Sequence, residues 1–181
     1  MPNADAVAGV VLAAGAGSRF GMPKVLADEG DWLARAVSAL DEGGCDDVIV
    51  VLGAAMVEVP APARAVVATR WAEGMSASVR EGLHAAGPAA WVVLHTVDTP
   101  DVGARVVTRV LRAARGAESG LARATYDGRP GHPVVVAHRH VAALSAAMRG
   151  DQGARAFLRG RADVVAVECG DLATGLDIDE R

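Results

Sequence analysis

Short runs of apolar, β-branched residues alternate with amphipathic segments along most of the chain. The runs predict buried strands at residues 7–12, 47–52, 65–68, 91–95, 121–126, 134–137 and 163–167. Helical spacing of apolar positions predicts helices at 32–40 and 103–115, a third that ends at Ala86, and a fourth that ends at Arg159. This alternation predicts an α/β fold, with a mostly parallel sheet and helices on both of its faces. Since no repeat or linker interrupts it, we expect a single domain over residues 1–181.

Composition narrows the possible partners and the cellular compartment. The net charge of −4, with no block of basic residues, argues against a nucleic-acid partner. Cys45 and Cys169 lie far apart and lack metal-ligand spacing, so we expect reduced, buried thiols. The N-terminal residues do not resemble a signal peptide, and no apolar run approaches the roughly 18 residues of a membrane span. We therefore expect a cytoplasmic protein with no membrane partner.

A glycine-rich loop follows the first predicted strand. Within it, Ser18, Arg19 and Lys24 are interspersed with Gly15, Gly17 and Gly21. Glycines let backbone N–H groups approach an anion, and two nearby cations suit a polyphosphate. The loop matches neither the Walker A motif nor the dinucleotide fingerprint. Its spacing therefore indicates either a phosphate-binding loop or a glycine-rich turn that leads into a helix.

Lys24 is the single lysine of the chain, and the other 17 of its 18 Lys and Arg residues are arginine. A lysine retained in this loop indicates a need for a compact ammonium where a planar guanidinium would not fit. Chance is the alternative explanation.

The segment LAAGAGSRFGMPK at residues 12–24 resembles the signature LAAGxGxRxGxxK of the MobA-like and MocA-like NTP transferases. Within that family it is most similar to the molybdenum cofactor cytidylyltransferases, because guanylyltransferase relatives usually carry a second glycine where Ala14 stands. The resemblance implies a Rossmann-like, GT-A-like fold. It also implies nucleotide binding by Leu12, Ala13, Ala14, Gly15, Gly17, Ser18, Arg19, Lys24, Ser76 and Asp98.

Ser76 lies in a second motif, WAEGMSASVREGL at residues 71–83, which resembles the family segment that follows the base and ribose. Its position before a predicted helix also favours a purely structural role as an N-cap. Nearby, Ala68 replaces an asparagine that relatives often have, which leaves the choice of base less certain.

Asp98 follows the predicted strand 91–95, at the edge where open α/β sheets place ligands. A turn residue before Pro100 would look the same. The family has a Gly-Asp-Gln-Pro-like element here whose aspartate binds Mg²⁺, although Val97 and Thr99 depart from it. The Asp-Ile-Asp at 177–179 resembles a second family element. The resemblance thus implies a Mg²⁺ site formed by Asp98 and Asp179, with Asp179 favoured over Asp177; an acidic terminus without a ligand is the alternative.

Two further elements resemble the acceptor side of the family's cleft. Gly-x-x-Gly-His-Pro-Val at 128–134 places Arg129, Gly131 and His132 there, and Gly-Asp-x-Gly-Ala-Arg at 150–155 places Asp151 there. Ordinary turn chemistry explains the first element equally well, and an N-cap role explains Asp151.

The implied reaction moves a nucleotide, CMP from CTP, to the phosphate of molybdopterin or molybdenum cofactor with release of pyrophosphate. Arg19, Lys24 and Asp98 would be the catalytic residues, and a molybdoenzyme or its maturation factor would be a partner. Three alternatives stay open: a GTP-dependent molybdopterin guanylyltransferase, a sugar-phosphate nucleotidyltransferase, and a non-catalytic nucleotide-binding module that delivers cofactor.

Overall fold

A computed structural model describes residues 4–180 of the chain. Within them, seven strands form one sheet: β1 (Val7–Ala13), β2 (Asp47–Leu52), β3 (Arg64–Val67), β4 (Trp91–Thr96), β5 (Leu121–Tyr126), β6 (Arg129–Ala137) and β7 (Val165–Glu168). The α-helices of this part of the chain are α1 (Asp31–Glu42), α2 (Met75–Ala86), α3 (Ala104–Gly116), α4 (Val141–Ala147) and α5 (Arg155–Leu158). Short 3₁₀ segments lie at Lys24–Gly30, Trp71–Glu73, His138–His140 and Gly150–Gln152.

The strand order is β3-β2-β1-β4-β6-β5-β7, and β6 runs antiparallel to both of its neighbours. From β1, the chain builds outward through β2 and β3 on one side and through β4 on the other. The carboxyl ends of β1 and β4 therefore flank the point where the strand order reverses. Open α/β sheets bind ligands in the crevice at this point.

Helices cover both faces of the sheet, so the central strands are buried on both sides and read as continuous apolar runs. Val7 and Val11 of β1 pack towards α1 and α3, whereas Ala8 and Val10 pack towards α2 and α4. The approach of α2 is close: a Cβ at Gly82 would lie 2.5 Å from Val10 Cγ1. The arrangement is a doubly wound, Rossmann-like α/β sheet, which confirms the predicted fold class.

One strand begins earlier than the sequence predicted. The prediction placed a turn over residues 127–133, but β6 starts at Arg129. The turn is confined to Asp127 and Gly128, whose φ angles are +50° and +78°, as expected for a two-residue hairpin. The carboxylate of Glu168 accepts hydrogen bonds from both of their amides, at 2.7 and 3.2 Å. A distant side chain thus fixes a tighter turn than the local sequence indicated.

No helix within residues 4–180 is both long and apolar enough to cross a membrane.

Candidate active site

A cleft of about 460 Å³ opens at the carboxyl ends of β1 and β4. Many of the residues that the sequence singled out line it: Leu12, Ala13, Gly15, Gly17, Ser18, Arg19, Lys24, Asp98, Asp151 and Asp179. A larger groove of about 600 Å³ lies beside it, with Val25 common to both. The lining that the structure describes there is mostly apolar and carries two glutamates but no basic side chain. For a polyphosphate, the smaller cleft is the better match.

The glycine-rich loop is held by a contact within itself and by a contact with α1. The amide of Gly21 donates to the carbonyl of Gly17 at 2.8 Å, and the ring of Phe20 lies 5.3 Å from that of Trp32. Gly17 has a φ of +64°, and a Cβ there would overlap the carbonyl oxygen of Met22. The loop therefore requires glycine at this position and holds its backbone in a defined shape beside the cleft.

Lys24 connects two acidic side chains across the cleft. Its Nζ lies 2.9 Å from Asp98 Oδ2 and 2.8 Å from Asp179 Oδ1. Burial alone would lower the pKa of Lys24, but hydrogen bonds to Asp179 and Asp98 raise it above its ordinary value. The same bond to Lys24 lowers the pKa of Asp179. At neutral pH, Lys24 is therefore a cation and Asp179 an anion.

Backbone and side-chain hydrogen bonds bring the acidic C-terminal segment to this point. Asp101 Oδ2 accepts from the amide of Thr174 at 2.7 Å and from its hydroxyl at 2.6 Å. Further along, the amide of Ile178 donates to the carbonyl of Asp98 at 3.0 Å. These contacts align the segment beside the loop after β4, so that Asp179 faces Lys24.

The donor set around Lys24 fits a divalent cation. Asp98 Oδ1 is buried and has no hydrogen-bond partner within the described residues, and Asp179 supplies further oxygen atoms. Burial, together with the charges of Asp98 and Asp179, raises the pKa of Asp177, so a third carboxyl group lies near the pair. Across residues 4–180, no group of three or more His, Cys, Asp or Glu side chains is arranged for a metal. Mg²⁺, however, usually takes one or two carboxylates and completes its shell with phosphates and water.

Two predicted capping roles are wrong. The helix α2 begins at Met75, and Gly74, not Ser76, occupies its N-cap position. Ser76 lies inside the first turn, where its buried hydroxyl has no hydrogen-bond partner in the described structure. Nor does Asp151 cap the helix that follows it, since α5 has Ala154 at its N-cap position. Instead, Asp151 Oδ1 accepts from the amide of Met75 at 3.3 Å and so caps α2.

The remaining predicted residues lie outside the lining of the cleft. Ala14 is buried, and its carbonyl accepts from the amide of Ala54 at 2.9 Å. Arg129 is exposed beside the hairpin turn. Gly131 packs so closely on Tyr126 that a Cβ would lie 2.8 Å from the ring.

His132 lies deeper than Arg129, where its carbonyl accepts from the hydroxyl of Tyr126 at 2.6 Å. Burial lowers the pKa of its imidazole to about 4, although the nearby charge of Asp98 acts in the opposite direction. His132, one of the three acceptor residues predicted in this hairpin, is thus near enough to Asp98 for the two groups to interact electrostatically.

Sequence reasoning missed several residues of the cleft, including Phe20, Met75 and Thr96. Phe20 could have been noticed as one of two phenylalanines in the chain, placed inside a glycine-rich loop. Met75 stands between Gly74 and Ser76 in a motif already singled out. Thr96 resembled an ordinary strand residue and gave no signal of its own.

Comparison with known proteins gives a family model, a curated relative and several similar solved structures. Residues 9–165 match the family model of the MobA-like NTP transferase domain. A protein of Paenarthrobacter nicotinovorans named nicotine blue oxidoreductase is 37% identical over 187 residues, covering 96% of this chain and 92% of the relative. The crystal structure of Rv0371c from Mycobacterium tuberculosis H37Rv is 28% identical, with a TM-score of 0.78 over 98% of this chain and 95% of the other. A structure of Rv0371c in complex with manganese is 24% identical, with a TM-score of 0.72 over 96% and 94% of the two chains.

Proposed function

This chain belongs to the MobA-like NTP transferase family, and we propose that it transfers CMP from CTP to the phosphate of molybdopterin or molybdenum cofactor. The observation that carries the proposal is the convergence of Lys24, Asp98 and Asp179 beside the glycine-rich loop. One ammonium and two carboxylates in a cleft lined by a glycine-rich loop suit a reaction that develops charge on phosphate oxygens.

The reaction needs no covalent enzyme intermediate. An oxygen of the acceptor phosphate attacks the α-phosphorus of the nucleotide, the bond from that phosphorus to the bridging oxygen breaks, and pyrophosphate leaves with the electron pair. The chain's part is to align the two phosphates and neutralise their charge. Gly15 and Gly17 let the backbone approach the triphosphate, while Arg19 and Lys24 neutralise the charge that grows on the leaving group.

A divalent cation, Mg²⁺ in this proposal, would be held by Asp98 and Asp179. It would supply further charge neutralisation on the phosphate oxygens. The buried Asp98 Oδ1, which lacks a partner in the described structure, is the atom of this chain best placed to bind it. The manganese complex of Rv0371c supports the choice of a divalent ion. Before the cation binds, Lys24 keeps the two carboxylates together.

The preference for CTP rests on one position of the glycine-rich loop. Ala14 stands where guanylyltransferase relatives usually carry glycine. Ala68, which replaces the asparagine frequent in relatives, is buried, and its amide donates to the carbonyl of Leu52 at 2.8 Å. A side chain without polar atoms at this position offers a base no hydrogen bond, so Ala68 does not contribute to the choice of CTP.

A second candidate is an oxidoreductase that acts on nicotine blue. It is favoured by the name of the relative that is 37% identical over almost the whole chain. The cleft itself, with its two cations and converging carboxylates, matches a nucleoside triphosphate better. Both reactions are open to direct assay with the same preparation.

Mass spectrometry of the reaction products tests the proposal. The full chain is incubated with Mg²⁺, CTP and molybdopterin, and we expect the acceptor to gain the mass of CMP. A matched incubation follows the absorbance of nicotine blue with a reduced nicotinamide cofactor. Reduction of the dye without any CMP adduct would favour the oxidoreductase. Nucleotide binding without either product would favour the non-catalytic module that delivers cofactor.

A further inference from the structure

Arg123, His132 and Arg155 lie near one another, and His132 is close enough to Asp98 for the charge of that carboxylate to act on its pKa. We call these three residues the β5 cluster. We infer that this cluster binds the phosphate monoester of the acceptor, with Arg123 as its central residue. The inference rests on the proposed function, because it supplies the second substrate of that reaction with a binding site.

Arg123 is half-buried on β5, opposite Val134 of β6. Its Nη2 lies 3.4 Å from the carbonyl oxygen of Gly131, a weak contact at the limit of a hydrogen bond. Its Nε is buried and has no partner among the described residues. A guanidinium carries five N–H donors, and only one of those on Arg123 has a partner among the described residues.

Two further basic groups lie near Arg123 and make the burial of its positive charge less favourable. Burial, together with the charge of Arg155 at the start of α5, lowers the pKa of Arg123. Arg155 is exposed, and its charge also reaches Asp177. His132 is near enough for the charge of Arg123 to contribute to its lowered pKa. The two arginines therefore place positive charge beside the neutral imidazole of His132, in a partly desolvated part of the molecule.

Some arginines of the chain form ion pairs, but the two arginines of the β5 cluster do not. Arg64 binds Asp47, Arg109 binds Asp171 and Arg161 binds Asp163. Among the ion pairs within residues 4–180, none includes Arg123 or Arg155. A partly buried guanidinium beside a like charge is unfavourable unless an anion compensates it. A phosphate dianion, with several acceptor oxygens, would satisfy both arginines at once.

Sheet topology places the β5 cluster on the correct side of Asp98 for an acceptor. The glycine-rich loop follows β1, whereas Arg123 and His132 lie on β5 and β6, which are on the other side of β4. Asp98 at the end of β4 therefore stands between two cationic regions. A triphosphate on the β1 side and a phosphate monoester on the β5 side would meet at the carboxylate of Asp98.

Titration of the full chain with inorganic phosphate, without nucleotide, tests this inference. We compare the wild type with Arg123→Gln and Arg155→Gln by calorimetry, and use Arg112→Gln as the control. Arg112 is exposed on α3, which packs on the opposite face of the sheet from α5. Each cluster substitution should weaken phosphate binding about tenfold, the effect of losing one charge-assisted contact. The control should bind phosphate, and all variants should bind CTP, as the wild type does.

Wild-type phosphate affinity in Arg123→Gln would overturn the inference, as would an equal loss in Arg112→Gln or an absence of phosphate binding in the wild type. Since Arg123 is half-buried, its replacement by glutamine could disturb folding, and Arg123→Lys serves as a second variant. It keeps the positive charge but loses the planar set of N–H donors. It should bind phosphate more weakly than the wild type and more tightly than Arg123→Gln. The titration uses no nucleotide, so it is independent of catalysis. If phosphate binding depends on Arg123 but the chain does not release pyrophosphate, the proposed function is rejected and the phosphate site stands.

Discussion

The ammonium of Lys24 lies 2.9 Å from Oδ2 of Asp98, although 74 residues separate them along the chain. Lys24 follows the glycine-rich loop after β1, and Asp98 follows β4, so this contact joins the two loops at the crevice of the sheet. The ammonium also binds Asp179, at 2.8 Å. One cation thus holds together the two carboxylates that would bind the metal ion in the proposed function.

Replacement of Lys24 by alanine is expected to lower turnover by about 10²-fold or more, the magnitude found when one preorganised charge contact to the reacting groups is lost. Lys24→Arg should recover little of this activity, because the planar guanidinium does not fit the position of a compact ammonium between two carboxylates. Steady-state pyrophosphate release measures both variants. Arg35→Ala is the control, since Arg35 binds Asp31 on the exposed surface of α1. Wild-type turnover in Lys24→Ala would contradict the assignment.

Lys24 should also compete with a divalent cation for the same carboxylates. In the absence of nucleotide, Lys24→Ala is therefore expected to bind Mn²⁺ more tightly than the wild type, because its ammonium no longer occupies the oxygens of Asp98 and Asp179. Asp98→Asn and Asp179→Asn should bind Mn²⁺ more weakly. Electron paramagnetic resonance of free Mn²⁺ reports all three affinities. The metal assignment is wrong if both asparagine variants bind Mn²⁺ as the wild type does.

The two glycines of the loop should respond differently to alanine. Gly17→Ala places a Cβ at positive φ and against the carbonyl of Met22, and the left-handed conformation alone costs about 1–2 kcal/mol of stability. Gly15 has no neighbouring atom within 4 Å of an added Cβ, so Gly15→Ala should unfold at the wild-type temperature. Because Gly15 lines the cleft, the same methyl group should weaken nucleotide binding. Thermal unfolding and CTP titration separate the two effects, and equal melting temperatures for both variants would refute the loop geometry.

Stability should fall in mild acid because of a buried histidine. His95 is fully buried and neither ring nitrogen has a partner among the described residues; burial, assisted by the charge of His132, lowers its pKa to about 3. Below pH 6.5 the unfolded chain binds a proton that the folded chain does not. The free energy of unfolding should therefore decrease as pH falls from 6.5 towards 3, by up to about 1.4 kcal/mol per pH unit.

His95→Leu should remove this contribution, because an apolar side chain replaces a group that makes no hydrogen bond. His84→Gln, at an exposed position of α2, is the matched control and should keep the wild-type pH dependence. His132, whose pKa is lowered to about 4, still contributes to the slope in both variants. Urea unfolding between pH 4 and pH 7 measures the slope of the free energy of unfolding against pH. An unchanged slope in His95→Leu would show that His95 does not couple stability to pH.

The sheet and the residues of the glycine-rich loop were predictable because both depend on local patterns. Apolar runs identify β1 and β4, and the position of Lys24 and Asp98 after those strands implies that they meet at one edge. The resemblance added Asp179, which no periodicity would have placed beside Lys24.

The errors come from contacts between distant parts of the chain. Ser76 looked like a cap, but the amide of Met75 at the start of α2 donates instead to Asp151, 76 residues further along the chain. The early start of β6 depends on Glu168, which fixes the turn at Asp127 and Gly128. Arg123 was not singled out because a single arginine in a strand gives no local signal. Its unpaired Nε is visible only once β5, β6 and α5 have packed.

The most direct test of nucleotidyl transfer at this site is pyrophosphate release with Mg²⁺ and molybdopterin, measured in parallel with CTP, GTP, ATP and UTP. We predict release with CTP in preference to the other nucleotides, and its loss in Asp98→Ala but not in Arg35→Ala. Preference for GTP would correct the base and leave the mechanism standing. No release with any of the four nucleotides, from a chain that still binds one of them, would contradict the account.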